Sequence, residues 1–141
     1  MKRAFQVKLI LILALAVLAA SCGEGANKPQ IENAELYLDP GGTQATTSFS
    51  WTVPFYLIVN MTEAQEDTVI QASWIAMDTN RLNPETILKI EEKSPDGNLV
   101  FFSLTNEGHF WPIGDYQVNL YVDGKLAQEL KFEVYHTEDV Y

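Results

Sequence analysis

The most regular pattern in the chain lies between residues 114 and 134, where apolar and polar positions alternate. Apolar side chains take every second position from Tyr116 to Val122, before the pair Asp123-Gly124, and again from Leu130 to Val134 after it. A two-residue period puts alternate side chains on one face of a strand, and Asp-Gly is typical of a tight turn. The pattern predicts a β-hairpin with one face on a core and the other in water, the inward residues being Tyr116, Val118, Leu120, Val122, Leu130, Phe132 and Val134.

Further strand-sized apolar segments precede this hairpin and are separated by polar turns. The segment 85–93 fits either a helical turn or a strand, and its context favours a strand. The segment 43–50 is rich in Thr and Ser and suits an edge segment or a loop. About seven short strands, spaced roughly every 8–12 residues, predict an all-β antiparallel sandwich of two sheets. The other predicted strands cover residues 31–38, 54–61, 68–77 and 99–104.

The first twenty-two residues follow a different pattern. Lys2, Arg3 and Lys8 precede an unbroken apolar run over residues 9–20, and small residues then lead to Cys22. Spanning a bilayer takes about 20 apolar residues, so this run is short for a permanent span. A basic start, a short apolar run and small residues are the three parts of an export signal. We expect a cleaved helical signal peptide and no transmembrane segment after it.

The end of this segment resembles the lipobox of bacterial lipoproteins, in which a cysteine follows small residues. The resemblance implies a signal peptide over residues 1–21, cleavage before Cys22 and acylation of its thiol. Residues 22–30 would then form the acylated cysteine and a flexible tether rich in Gly, leaving 31–141 as the domain. The expected location is the outer side of the cytoplasmic membrane or the outer membrane. Because Cys22 is the only cysteine, the domain cannot rely on a disulfide.

Two features of the later strands resemble immunoglobulin-like domains. Trp74 lies in the middle of the third strand, where that fold packs a tryptophan between its sheets. Gly114-Asp115-Tyr116 opens the penultimate strand, where the fold often places a tyrosine that bonds back to the backbone. The string over residues 111–125 also resembles the C-terminal hairpin of bacterial Ig-like modules. This resemblance implies an Ig-like β-sandwich with a binding or spacing role, and it names no ligand.

The charge of the chain limits its partners. It has 19 acidic and 9 basic residues and a formal net charge of −10. A surface of this kind repels phosphate backbones and anionic lipid headgroups, so nucleic acid is an unfavourable partner. Attachment to a membrane is therefore expected through the acyl chains on Cys22.

Motifs for catalysis and metal binding are missing from the sequence. The two histidines, His109 and His136, are far apart in the chain, and there is no Gly-x-Ser-x-Gly string. Neither the spacing of a zinc site nor an Asp-rich calcium loop occurs. We expect a protein that is not an enzyme and that needs no metal or cofactor.

The remaining candidates for a site are aromatic residues, namely Trp51, Trp111 and Tyr121. They are predicted in loops or at outward positions, where aromatic rings stack on sugars or anchor a partner protein. The alternative is structural: Trp111 plugs the open end of the sandwich, and Tyr121 packs across the outer face of a sheet. The sequence favours a non-catalytic binding or assembly module that engages another envelope protein or a glycan. A spacer without a ligand is the alternative, and a dedicated carbohydrate-binding module comes third.

Overall fold

A computed structural model describes residues 28–138, so the predicted signal peptide and Cys22 lie outside the described residues. All regular structure in this part is β, and it contains no helix that could cross a membrane. The all-β prediction is confirmed. The strands are β1 (Gln30–Tyr37), β2 (Ser48–Ser50), β3 (Phe55–Thr62), β4 (Ile70–Thr79), β5 (Thr86–Lys93), β6 (Leu99–Leu104), β7 (Gly114–Val122) and β8 (Lys125–Tyr135).

The strands form two sheets, one of three strands in the order β1-β3-β6 and one of five in the order β2-β8-β7-β4-β5. Every pair is antiparallel except β2 with β8, where Phe49 lies opposite Val134 in a parallel register. The extra strand beyond the seven expected is β2, which has three residues and lies in the Thr/Ser-rich segment. So short a strand leaves little periodicity to detect.

The core lies between the two sheets and is centred on Trp74, whose side chain is fully buried. The rings of Phe55 and Phe132 each lie 6.2 Å from the Trp74 ring, one from each sheet. The predicted position of this tryptophan in the core is confirmed. Its indole Nε1 has no hydrogen-bond partner, so the ring stabilises the fold by packing alone.

Strand β3 is buried on one face and half-buried on the other. Leu57 and Val59 face the core, while Ile58 lies on the outer face beneath the turn that follows β1. A Cβ on Gly42, whose φ is +69°, would lie 2.6 Å from the Ile58 Cδ1 atom. The Asp39 carboxylate closes this turn by accepting the backbone N–H of Gln44 at 2.9 Å. The positive φ therefore favours glycine here, and a larger residue would also have to displace the end of the Ile58 side chain.

Strand β5 confirms the strand prediction for residues 85–93, but its charged side chains share a face with the core. Glu91 lies opposite the buried Ala72 and forms ion pairs with Lys89 at 3.0 Å and Lys93 at 3.3 Å. Lys93 Nζ also donates to the Phe101 carbonyl of β6 at 2.6 Å. Since β5 and β6 are both edge strands, these inward charges protect the open side of the sandwich from pairing with another chain.

Tyr116 makes the backbone contact that the resemblance to Ig-like domains implies. Its hydroxyl donates to the carbonyl of Pro112, and its side chain is buried. Burial raises the pKa of Tyr116 to about 12, although the charge of Arg81 acts in the opposite direction. The bond ties the start of β7 to the loop before it.

Replacing Tyr116 with Phe is expected to lower the free energy of unfolding by about 0.5–1.5 kcal/mol at neutral pH, because one buried hydrogen bond is lost. The raised pKa also predicts a pH effect. The unfolded chain loses the Tyr116 proton near the ordinary pKa of 10.0, whereas the folded protein keeps it up to about pH 12. The contribution of Tyr116 to the stability of the fold is therefore complete below pH 10 and is lost between about pH 10 and pH 12. Urea unfolding between pH 8 and pH 11.5 should therefore show a smaller alkaline loss in Tyr116→Phe than in the wild type or in Tyr121→Phe. Equal alkaline losses in all three proteins would contradict the assignment.

Candidate functional site

The two ends of the sandwich differ in what they carry. At one end, here called the hairpin end, β1 begins at Gln30 opposite Thr62, and Lys28 lies close to the Asp123-Gly124 turn. The opposite end, here called the aromatic end, collects the last residues of β8 and three connecting loops. These segments are residues 51–54, 80–85, 105–113 and 135–138.

Three rings pack together at the aromatic end. Trp51, which follows β2, stacks on Phe110 with ring centres 4.2 Å apart and planes at 16°. His136, just after β8, packs edge-on against the same indole at 4.3 Å. Phe110 is still 55% exposed although Trp51 covers one face of its ring. The stack therefore presents the Phe110 ring to solvent on a support of two further rings.

Buried Trp111 fixes the stack to the core. Its backbone N–H donates to the Trp51 carbonyl at 2.8 Å, and its Nε1 donates to the Val53 carbonyl at 2.7 Å. Its ring stacks on Phe55 with centres 4.5 Å apart. The loop that carries Phe110 is thus bonded both to the core and to the loop that carries Trp51. Such a surface is ordered before any ligand arrives.

A cleft of about 460 Å³ adjoins Phe110 at this end. Arg81 lies at the cleft and donates from Nη2 to the Phe110 carbonyl at 2.7 Å. Within residues 28–138 no carboxylate lies at ion-pair distance from Arg81, whose exposed side chain lines the cleft. Glu107 and His109 also line the cleft, and both are exposed. The aromatic end therefore combines an exposed ring with polar donors and acceptors.

The structure separates the three predicted aromatic candidates. Trp51 is half-buried at the aromatic end, and Trp111 supports it from below with only 8% of its surface exposed. Trp111 thus plugs the end of the sandwich, the structural alternative considered for it. Tyr121 lies on the outer face of β7 opposite Leu126, at the hairpin end. Cys22, the predicted lipid attachment site, lies outside the described residues.

Sequence reasoning missed Phe110 and Arg81 at the centre of the site. Phe110 belongs to a predicted loop, where alternation does not indicate whether a side chain is exposed. A usable signal was the run of three rings, His109, Phe110 and Trp111, directly before Pro112. The signal for Arg81 was weaker: it is the only arginine after the predicted signal segment.

Residues of the types that bind metal ions are scattered over the described part of the chain. No three His, Cys, Asp or Glu side chains between residues 28 and 138 are placed to hold a metal ion. The His136 ring packs on Trp51, which leaves it supporting an aromatic surface.

Comparison with known proteins defines the fold of the chain. No family model matches it, and no curated protein matches it either. Among solved structures, an immunoglobulin-like protein from Pseudomonas aeruginosa is similar with a TM-score of 0.54 and 16% sequence identity. The match covers 79% of this chain and 100% of that one. The chain folds as an immunoglobulin-like β-sandwich.

Two larger proteins contain a stretch of similar shape at lower scores. An alkylpurine DNA glycosylase from Pseudomonas fluorescens matches with a TM-score of 0.47 and 13% identity, over 78% of this chain and 31% of that one. A β-glucosidase from Listeria innocua matches with a TM-score of 0.45 and 14% identity, over 72% of this chain and 16% of that one. This chain therefore spans less than a third of either protein.

Proposed function

We propose that the protein is a lipid-anchored component of the bacterial cell envelope whose Ig-like domain is a non-catalytic binding module. The acyl chains on Cys22 hold it to the membrane, and the aromatic end of the domain binds another envelope component. The observation that carries the proposal is the stack of Trp51, Phe110 and His136 at the end opposite Lys28.

The position of Lys28 supports this arrangement. Cys22 precedes Lys28 by only a few residues in the sequence, so an anchor at Cys22 keeps the hairpin end close to the membrane. The nine residues of β7 connect the two ends of the sandwich and span roughly 30 Å at about 3.4 Å per residue. The aromatic end then faces away from the membrane, where a partner can reach it.

The chemistry of the aromatic end supports binding. An exposed large apolar ring is ordinary when it stands alone. Phe110 does not stand alone, because Trp51, His136 and Trp111 hold its loop in place and Arg81 is bonded to its carbonyl. Aromatic residues and arginine dominate binding energies at protein surfaces.

Replacing Cys22 with Ser is expected to abolish acylation, because serine lacks the thiol that carries the lipid. The variant should leave the membrane fraction and the detergent phase of a Triton X-114 separation, whereas the wild type stays in both. A Ser21→Ala variant keeps the cysteine and serves as the control. Unchanged partitioning of Cys22→Ser would contradict the anchor.

Site-specific photo-crosslinking in intact cells tests the binding role. A photoreactive phenylalanine analogue at position 110 is expected to capture a discrete envelope component. The matched control is the same analogue at position 126, because Leu126 is 52% exposed and lies at the hairpin end. Each variant should keep the thermal unfolding midpoint of the wild type.

The pattern of products decides between the candidate functions. Capture at position 110 but not at position 126 supports a binding module with its site at the aromatic end. Equal products from both positions, or lipid alone from both, would overturn that assignment and leave the spacer as the better description.

A further inference from the structure

We infer that the ligand of the aromatic end is a neutral saccharide, with a pyranose ring stacked on Phe110 and its hydroxyl groups bonded in the adjoining cleft. This inference rests on the proposed binding function and names the chemical class of its ligand.

The exposed face of Phe110 provides the stacking surface. One face of the ring is covered by Trp51 at 4.2 Å, and 55% of the side chain is still exposed. The free face therefore points outward on a fixed loop. A sugar ring has an apolar face of C–H groups, which packs on an aromatic ring at little cost in conformational entropy when both surfaces are rigid.

The polar side chains beside Phe110 match the needs of sugar hydroxyls, each of which both donates and accepts hydrogen bonds. Arg81 offers N–H donors. Within the described part of the chain its guanidinium makes one hydrogen bond, to the Phe110 carbonyl, and no ion pair. Glu107 is an exposed carboxylate acceptor on the same cleft, and His109 adds an imidazole. Donors and acceptors thus flank a single stacking face.

The charge distribution favours a neutral ligand over an anionic one. The net charge of −10 repels polyanions at a distance. At the aromatic end itself, Glu107 lines the cleft, and Glu85 and Glu138 lie in neighbouring segments. Arg81 alone does not reverse this field. An acidic polysaccharide would meet repulsion where a neutral one meets none.

The shape of the site favours a sugar over a protein partner. The cleft has a volume of about 460 Å³ and is open to solvent, so a sugar ring can enter it without a rearrangement of the loops. A stable protein interface needs roughly 800 Å² of contact on each partner, usually around a central group of buried apolar anchors. Here one ring stands beside polar groups at the rim of a concave surface.

Titration of the full chain in detergent micelles with defined oligosaccharides tests the inference. The probes are a neutral tetramer of N-acetylglucosamine, a neutral glucose tetramer and an acidic tetramer of galacturonic acid. Saturation-transfer NMR and the intrinsic tryptophan fluorescence, to which Trp51 contributes beside Phe110, report binding. We expect one neutral tetramer to bind, and Phe110→Ala to weaken it about tenfold, the size of one aromatic stacking contact. Phe110→Trp should keep the affinity, and Leu126→Ala should leave it unchanged.

Each remaining outcome counts against the inference. Binding of the acidic tetramer as tight as that of the neutral ones would show that the ligand is selected by charge and not by stacking. Binding that survives Phe110→Ala would place the sugar elsewhere on the protein. If no tetramer binds while the photo-crosslinker at position 110 captures a protein, the saccharide is wrong and the binding module stands. If crosslinking at position 110 also fails, the proposed function falls with it.

Discussion

Trp74→Ala is expected to lower the free energy of unfolding by about 3–5 kcal/mol, the usual range for truncating a fully buried aromatic side chain. The indole fills the space between the sheets, where Phe55 from β3 and Phe132 from β8 both pack on it. Both neighbours belong to paired strands, so the space left by the indole can close only in part. Since whole domains are stable by about 5–15 kcal/mol, this one change removes a large share.

Trp74→Phe separates packing from hydrogen bonding. The Nε1 atom of Trp74 is buried without a partner, and an unpaired buried donor costs stability. Phenylalanine removes that donor and keeps most of the ring, so the expected loss is below about 2 kcal/mol. Urea unfolding followed by far-UV circular dichroism measures both variants. A loss under about 1 kcal/mol for Trp74→Ala would mean that the ring is not the centre of the core.

The architecture could be predicted from the sequence because buried and exposed faces of a strand differ in the residues they carry, and this difference appears as alternation along the chain. In β7 and β8, alternation gives the inward residues and Asp123-Gly124 gives the turn, so the hairpin follows directly. Tyr116 could be placed because the corner position belongs to a recognisable motif. Each of these signals lies within a few neighbouring residues, so it can be detected without knowledge of the tertiary contacts.

The details that sequence could not supply depend on contacts between distant segments. Gln117 has the outward position that alternation predicts, yet it is only 7% exposed and donates to the Asn119 side chain at 2.6 Å. Lys93 is an ordinary surface lysine in the sequence, but it bonds to the Phe101 carbonyl across the open side of the sandwich. No periodicity within one strand encodes which neighbour covers its outer face.

The candidate site was only partly predictable for the same reason. Trp51 and Phe110 are far apart in the chain, and they meet because β2 pairs with β8 and because the Trp111 N–H bonds to the Trp51 carbonyl. A three-residue strand sets the first contact, and a loop hydrogen bond sets the second. Composition indicated aromatic residues as the functional candidates, but only topology shows that two of the three gather at one end.

Gly114→Ala is expected to be about as damaging as truncation of the central tryptophan. Gly114 has φ of +145°, a conformation that side chains rarely adopt. A Cβ at this position would lie 2.1 Å from the Asp78 carbonyl oxygen and 2.8 Å from the Thr79 Cα. The register of β4 against β7 is irregular between Ala76 and Asp78, and Thr79 then lies opposite Gly114. Backbone strain of about 1–3 kcal/mol and crowding of about 1–3 kcal/mol give an expected loss on the order of 4 kcal/mol.

Gly124→Ala is the matched control for Gly114→Ala. Gly124 also has a positive φ, +84°, but a Cβ there meets no atom within 4 Å, so only strain of about 1–2 kcal/mol is expected. The two variants should also differ in function. Gly114 directly follows the loop that carries Phe110, so making room for a methyl group shifts the aromatic end, whereas Gly124 lies at the hairpin end. Urea unfolding gives the stability of each variant. The yield of crosslinked product from position 110 in each variant measures the binding function of the aromatic end. Equal losses of stability would show that the Asp78 backbone can move away from position 114 and would contradict the expected crowding.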